Sequence, residues 1–563
     1  MTNAERVWLK SYPNNVPHDV NIDEFSTLIN FIDDNLKKFK DRPAYTCVLK
    51  GKQKTLSYGE VDTMSDAMAA YLQNLGLQKG DKVAIMLPNI VQYPVALFGI
   101  MRGGFIAVNT NPLYTGREIK HQFNDAGVKA VIIAENFAHE LEKVIKETDV
   151  KHVITASIGG MFGGIKGFLI NTVLKFKGMV KKYNLPGAVK FPNAIKIGTG
   201  KKVNRYSSEQ DDMVCIQYTG GTTGVAKGAV LTNKNLLYNM VQMRAWLGDA
   251  DLREGEEVML TPLPMYHIFS FTVNCLCMAN FGALNVLVPN PRDIPDLTNT
   301  IALTNPSLMS GVNTLFNALL NNEDFLSLDF SNLKFVIGGA MAIQGPVAKR
   351  WKEVTGNDLI EGYGMTETAP VISANPLNNV KVGTIGLPVS STYVRIMGEN
   401  GIIQGPGEGR GEIQVSAPQV MQGYYNRPEA TAEVITEDGW LKTGDVGIMM
   451  EDGYLKIVDR IKDMILVSGF NVYPNEIEDV LASHPKILEI AAIGVADEKS
   501  TEAVKVFIVK KDPSLTKDEV HAFCKENFTG YKKPKHIEFR EELPKTNVGK
   551  ILRRALREEA QKA

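Results

Sequence analysis

The amino-acid sequence predicts an α/β protein of at least two domains, on three observations. The chain has 563 residues, too many for one compact core. Up to about residue 383, short Val- and Ile-rich runs alternate with amphipathic segments, the pattern of layered parallel sheets and helices. Beyond it the pattern changes twice, first to short alternating strands cut by Gly and Pro turns, then to a compact α+β unit.

The elements follow in order. Lys82–Leu87, Val128–Ile133 and Lys334–Ile337 read as buried strands of layered α/β subdomains. From about 383 to 458, turns at Gly398–Gly411 and Asp452-Gly453 separate strands such as Glu412–Ser416 and Tyr454–Val458, as in a small β-barrel-like subdomain or sheet. After Asp459, Glu476–Ala482 and Lys517–Asn527 read as helices, and Ala491–Val495 and Val504–Val509 as strands. No internal repeat is visible.

Composition excludes several classes of function. Sixty-two basic and 63 acidic residues nearly cancel, so the basic footprint of a nucleic-acid binder is missing. The five cysteines, Cys47, Cys215, Cys275, Cys277 and Cys524, form no CxxC pair and read as reduced thiols of a cytosolic protein. Met1 to Val20 holds no apolar core of signal-peptide length. Two stretches without Lys, Arg, Asp or Glu, Val83–Met101 and Val258–Pro291, are long enough to cross a bilayer. Pro88, Asn89, Gln92 and Pro94 interrupt the first, and Pro262, Pro264, Asn274, Asn280 and Asn285 the second. Both therefore suit buried strands and helices better than spans.

One segment, about 158–205, stands apart as a basic insertion. No acidic residue falls between Asp149 and Glu209, whereas eleven basic ones do. Phe162, Ile165, Phe168, Leu169, Ile170, Val173, Leu174 and Phe176 add apolar surface to it. Such a stretch rests on anionic lipid, each nearby Lys adding about 1 kcal/mol, or else packs onto the main domain as a solvated insertion.

The strongest local signal is Tyr218-Thr219-Gly220-Gly221-Thr222-Thr223-Gly224-Val225-Ala226-Lys227-Gly228, after the apolar run Met213–Gln217. Glycines let successive N–H groups face one anion, threonine hydroxyls add donors and Lys227 adds charge, so the loop suits a polyphosphate. It is not a Walker A sequence, because Gly228 stands where Ser or Thr would follow the lysine.

This loop resembles the phosphate-binding signature of the acyl-adenylate-forming superfamily. Further signatures follow in that superfamily's order. Pro264-Met265-Tyr266-His267 resembles its aromatic-His motif, Tyr363-Gly364-Met365-Thr366-Glu367 its Y-G-x-T-E, and Gly439–Asp445 its G-W-x-x-T-G-D. Asp459–Asp463 resembles the hinge, and Pro544–Lys550 the terminal lysine loop. From Trp8 to Arg557 the chain is similar to bacterial long-chain fatty-acid–CoA ligases in particular, with Leu441 where many members carry Phe.

The resemblance implies a large AMP-binding N-terminal domain, 1–461, and a small mobile C-terminal lid domain, 462–563, hinged at Lys462. It implies that Thr219, Gly220, Gly221, Thr222, Thr223 and Lys227 hold the phosphates of ATP. Glu367, with Thr222, would bring in Mg²⁺, a hard cation that prefers oxygen ligands. Gly338, Gly339, Ala340, Glu361, Gly362 and Tyr363, continuing through Gly364, Met365 and Thr366, would enclose the adenine side. A third glycine is frequent in relatives where Ala340 stands. Asp445 would take both ribose hydroxyls and Arg460 would add a donor. His267 would stand beside the reacting carboxylate, with Phe271 lining the alkyl path or simply packing in the core. Lys550 would neutralise charge at the α-phosphate. Rotation about Lys462 would then bring Ser468, Gly469 and Phe470 to the site as a wall for coenzyme A.

The implied activity is ATP-dependent conversion of a long-chain fatty acid to acyl-AMP, then to acyl-CoA. Phe269, Phe271, Leu276 and Met278 supply an uncharged acyl region. Alternatives are a medium-chain or aryl acid–CoA ligase, a ligase charging a separate carrier protein, and a lipid-binding scaffold that uses the basic insertion. The expected partners are a fatty acid and coenzyme A, and no nucleic acid. The expected location is the cytoplasm, with or without peripheral contact at the inner face of the membrane. The assembly is left open, a homodimer among the options.

Overall fold

A computed structural model describes residues 6–219 and 226–562. Among the described residues, two large sheets carry the N-terminal part. One has eight strands, ordered 423–424, 227–232, 213–219, 106–109, 82–86, 128–134, 152–156 and 189–190. The strands from 213–219 to 189–190 are parallel, and 213–219 turns back antiparallel into 227–232. The other sheet has nine strands, ordered 387–388, 371–374, 359–364, 335–338, 308–311, 258–261, 284–287, 43–49 and 52–57. Its centre is parallel and both edges are antiparallel. Parallel strands need both faces covered, and Val83, Ala84, Ile85, Val131 and Ile132 are accordingly buried on either side.

The expected strands fall where the Val/Ile runs place them, at Lys82–Met86, Val128–Ala134 and Phe335–Gly338. The helix Tyr58–Asn74 starts at a capping box, in which Glu60 N donates to Ser57 Oγ at 3.1 Å and Ser57 N to Glu60 Oε2 at 2.7 Å. It packs on Gln92–Arg102, a helix buried at every residue. The contact is so close that a Cβ on Gly99 would lie 2.7 Å from Met68 Cβ. The charge-free stretch Val83–Met101 is thus a strand and a core helix, and no described helix is long and apolar enough to cross a membrane. Arg102 closes it from within, its buried guanidinium donating through Nε to Asp33 Oδ1 at 2.9 Å.

The β-rich region forms a five-stranded antiparallel sheet, 403–404, 393–397, 411–416, 441–449 and 455–460, whose end strands do not pair with each other. The C-terminal lobe follows with strands 465–467, 470–472, 487–497, 501–510 and 536–540, and helices 474–482, 517–527 and 553–560. Ile477, Leu481, Ile490, Val506, Ile508 and Val520 pack in its own core, separate from the cores of the large sheets. All five cysteines are free and buried.

Candidate active site

The cleft forms where parallel strands of the nine-stranded sheet end, the position at which α/β sheets present backbone groups to ligands. Gly338 closes strand Phe335–Gly338 and lies in register with Glu361 on the neighbouring strand. A Cβ on Gly339 would approach both Gly362 O and the Phe269 ring to 3.2 Å, so this wall admits no side chain without a shift. Ala340 stands at φ +63°, in the left-handed region. That geometry favours glycine and costs an alanine about 1 kcal/mol. Glu361 accepts from Ile343 N at 3.3 Å, and burial pushes its carboxyl up to about 8, making it a neutral acid at pH 7.

On the phosphate side, strand Met213–Thr219 delivers the loop and Lys227 opens the returning strand. Gly220, Gly221, Thr222 and Thr223 lie outside the described residues. The edge strand 423–424 pairs with that returning strand and places the Tyr424 ring 5.1 Å from Lys227 Nζ. The Tyr424 hydroxyl donates to Glu367 Oε1 at 2.6 Å. Glu367 sits on a tight loop: Met365 N donates to Pro370 O at 3.1 Å, and a Cβ on Gly364 would strike that carbonyl at 2.0 Å. Burial raises the Glu367 carboxyl pKa, and the Tyr424 hydrogen bond opposes the rise. Among the described residues no group of three His, Cys, Asp or Glu side chains could hold a metal. Glu367, buried and joined to the Lys227 side through Tyr424, is a single carboxylate of the oxygen-donor type a hard cation takes.

Asp445 and Arg460 are cross-strand partners in the β-rich sheet, which is why they meet. Arg460 Nε lies 3.2 Å from Asp445 Oδ1, and the Tyr363 hydroxyl donates to Asp445 Oδ2 at 2.6 Å. The Tyr363 hydroxyl is held neutral, first by burial and then by the Asp445 charge. Asp445 is thereby joined to the strand that carries Glu361, across the two sheets.

His267 caps the turn into helix 268–270, its Nδ1 accepting from Phe269 N at 3.4 Å. Burial, then the charge of Lys550, lowers its pKa to about 4, so the ring is neutral at pH 7. Its loop is held from below. Asn89 Oδ1 accepts from Met265 N at 2.8 Å while its Nδ2 donates to Thr261 O and Leu263 O, and Gln217 Nε2 donates to Tyr266 O at 2.8 Å. Phe271 is completely buried and begins a π-helical turn, Phe271–Cys277.

Lys550 comes from the other lobe. Lys545 and Ile551 bridge its loop into a small hairpin, and Thr546 Oγ1 accepts from Lys550 N at 3.1 Å. The loop docks on helix Asn313–Leu320, where Thr314 Oγ1 donates to Gly549 O at 3.0 Å. Gly549 is required there: its φ is +85° and a Cβ would meet Thr314 Oγ1 at 2.8 Å. The ammonium lies within the field of Asp445 and Arg460. Burial, then Arg460, lowers its pKa to about 8, and Asp445 partly offsets the fall.

The structure thus gathers Lys550, His267, Asp445, Arg460, Tyr363 and the 338–340 turn into one cleft between lobes, with Glu367 and Lys227 joined through Tyr424. Ser468, Gly469 and Phe470 are instead exposed on a hairpin of the C-terminal lobe. Both turn residues have positive φ, Ser468 +51° and Gly469 +82°, the geometry of a two-residue hairpin loop. Phe470 stacks on Tyr531 with ring centroids 4.7 Å apart. Lys462 is exposed in the turn between 455–460 and 465–467.

Sequence reasoning missed Tyr424, Asn89, Gln217, Thr314 and Arg553. Arg553 Nη2 donates to Glu478 Oε2 at 2.7 Å and Nη1 to Asp463 Oδ2 at 3.3 Å, bracing the hinge turn against the C-terminal helix. Only Tyr424 carried a local cue, a tyrosine pair after glycine; the others act through contacts distant in the chain.

Fold and cleft together define the class, a two-lobed α/β protein with a cleft at the carboxyl ends of parallel strands. Residues 32–425 match the AMP-binding enzyme family, and residues 476–550 match the AMP-binding enzyme C-terminal domain. The chain belongs to the AMP-binding enzyme family. It is 51% identical to a long-chain-fatty-acid–CoA ligase of Salmonella typhimurium over 559 residues, covering 99% of this chain and 98% of that protein. It is 37% identical to the Bacillus subtilis protein of the same name, again covering 99% and 98%. ATP-bound MatB from Rhodopseudomonas palustris superposes with a TM-score of 0.80 at 26% identity, covering 94% of this chain and 98% of that one.

Proposed function

We propose that this enzyme is a long-chain fatty-acid–CoA ligase. The observation that carries the reading is Lys550, delivered by the C-terminal lobe into the cleft that already holds Asp445, Arg460 and His267. In the first step a fatty carboxylate oxygen attacks the α-phosphorus of ATP, the α–β P–O bond breaks and pyrophosphate leaves. The carboxylate is already ionised at neutral pH, and the neutral His267 positions rather than deprotonates it. Asp445, held by Tyr363 and Arg460, fixes the ribose; Lys227 and the 219–223 loop hold the departing phosphates. Lys550 stabilises charge that grows on the α-phosphate, a kind of contribution worth several kcal/mol. Glu367, with Thr222, would ligate Mg²⁺, which neutralises polyphosphate charge when bound.

In the second step the thiolate of coenzyme A attacks the acyl carbonyl, the acyl–oxygen bond breaks and AMP leaves. Lys550 occupies the thiol's approach, so the lobe 462–563 must rotate, with residues 1–461 fixed and Lys462 as pivot. That movement exchanges Lys550 for the Ser468-Gly469-Phe470 hairpin. The π-helical turn 271–277 contributes Val273 and Cys277 to an apolar crevice shared with Trp246, Met259, Met278 and Ile360. The crevice holds only about 30 Å³, so an alkyl chain enters it only where these side chains part. We place the enzyme in the cytoplasm, in reversible contact with the inner face of the membrane. Near-zero net charge argues against a nucleic-acid partner.

The test is pyrophosphate exchange into ATP with saturated fatty acids of increasing length, followed by acyl-CoA release on adding coenzyme A. Long-chain acids should give the highest kcat/KM in both assays. Preference for aryl or short acids, or transfer only to a carrier protein, would overturn the assignment.

A further inference from the structure

The helix Gly164–Phe176 buries only Gly167 and Ile170, yet most of its side chains are apolar. Ile165 is 80% exposed, Phe168 70%, Leu169 50%, Val173 52% and Phe176 95%. At about 100° per residue, Ile165, Phe168, Leu169, Thr172, Val173 and Phe176 share an arc of about 140°. Lys166 and Lys175 border its two edges. Gly167, Ile170, Asn171 and Leu174 take the opposite side, which holds the helix to the protein. Asn171 Oδ1 accepts from Gly159 N at 2.9 Å, Asn171 Nδ2 donates to Ser157 Oγ at 3.1 Å, and a Cβ on Gly167 would lie 2.5 Å from Gly159 O. The helix is therefore anchored with its apolar face turned outward, an arrangement that a soluble monomer ordinarily avoids.

Charge identifies what covers this face. Lys166, Lys175, Lys177, Lys181 and Lys182 are exposed on or just after the helix, and no acidic residue lies between Asp149 and Glu209. An apolar stripe bordered by lysines matches the boundary between acyl chains and anionic headgroups, where each basic side chain adds about fivefold to binding. A second copy of the chain would bring the same lysines face to face.

We propose that the 158–205 insertion is the membrane-docking surface, with Ile165, Phe168, Leu169 and Phe176 seated in the outer acyl layer of an anionic bilayer and the lysines on its phosphates. This rests on the peripheral location inferred above but not on ligase activity, because docking is measured without substrate.

The experiment is cosedimentation of the full chain with phosphatidylglycerol–phosphatidylcholine vesicles and with pure phosphatidylcholine vesicles. The unaltered protein should bind the anionic vesicles and release at high salt. Phe168→Ser with Phe176→Ser should reduce partitioning about tenfold or more. Lys166→Gln with Lys175→Gln and Lys177→Gln should do the same and flatten the salt dependence. These side chains are exposed, so thermal unfolding should be unchanged in both variants. No binding by the unaltered protein, or equal binding by the variants, overturns the proposal. So does a dimer abolished by Phe176→Ser in the absence of vesicle binding, which would assign the face to a second copy.

Discussion

Raising the pH from 7 to 9 should switch off acyl-adenylate formation through one side chain, Lys550. Burial and the neighbouring Arg460 bring its pKa from an ordinary 10.5 to about 8, despite the counter-effect of Asp445. The ammonium is therefore present below pH 8 and lost above it, falling from about 90% charged at pH 7 to about 10% at pH 9. A lysine of ordinary pKa would still be almost wholly charged at pH 9. The shift corresponds to about 3 kcal/mol of unfavourable charge burial in the free enzyme, which anionic substrates relieve on binding. Accordingly kcat/KM for pyrophosphate exchange should decline about tenfold between pH 7 and 9, while kcat should decline at higher pH. Lys550→Arg should keep substantial activity and move the decline beyond pH 9. Arg460→Gln should move it upward, because it removes a repelling charge. Lys550→Ala should lower adenylation by at least about a hundredfold yet largely spare thiolation of supplied acyl-AMP. The assay is initial-rate exchange across pH 6.5–10 with the fatty acid fully ionised throughout. A profile flat to pH 9.5, or the same decline in Lys550→Arg, would refute the assignment of the charge to Lys550.

Three further outcomes are expected. Glu367→Gln should cut adenylation by about a hundredfold or more; Tyr424→Phe, which removes only the hydrogen bond on Glu367, should raise the Mg-ATP requirement by about tenfold or less, as read from Mg²⁺ titrations of exchange. Gly469→Leu places a side chain on the exposed hairpin at φ +82°; it should slow thioester formation about tenfold or more while pyrophosphate exchange stays near its starting rate, and equal loss of both would count against the rotating lobe. Ala340→Gly should relieve the left-handed strain at φ +63° and raise stability to urea by up to about 1 kcal/mol.

Order and residue type made much of this legible before any fold was drawn. Val/Ile runs located strands such as Lys82–Met86 and Val128–Ala134 because parallel strands are apolar on both faces. Helix Lys517–Asn527 falls where the sequence placed it, and in the structure it opens on a Thr516/Glu519 capping box. Gly339 and Gly549 stood within motifs read from the sequence, and in the structure each has a neighbour close to where a Cβ would go. The signature motifs named most of the cleft, from Lys227 to Lys550.

What no local pattern contains is which side chains meet. Asp445 and Arg460 face one another through strand register, and Tyr363 reaches Asp445 across two sheets. Tyr424 joins Lys227 to Glu367 only because a two-residue strand pairs at a sheet edge. The basic insertion showed both charge and apolar residues in the sequence, but only the packing of Gly167 and Asn171 decided that its apolar side points outward. By itself the sequence determined chemical types and their order, because periodicity and backbone sterics act over a few residues. The tertiary structure decided the partnerships, the lowered pKa of Lys550 and the docking of the C-terminal lobe, because burial and Coulomb fields depend on neighbours that the chain brings from hundreds of residues away.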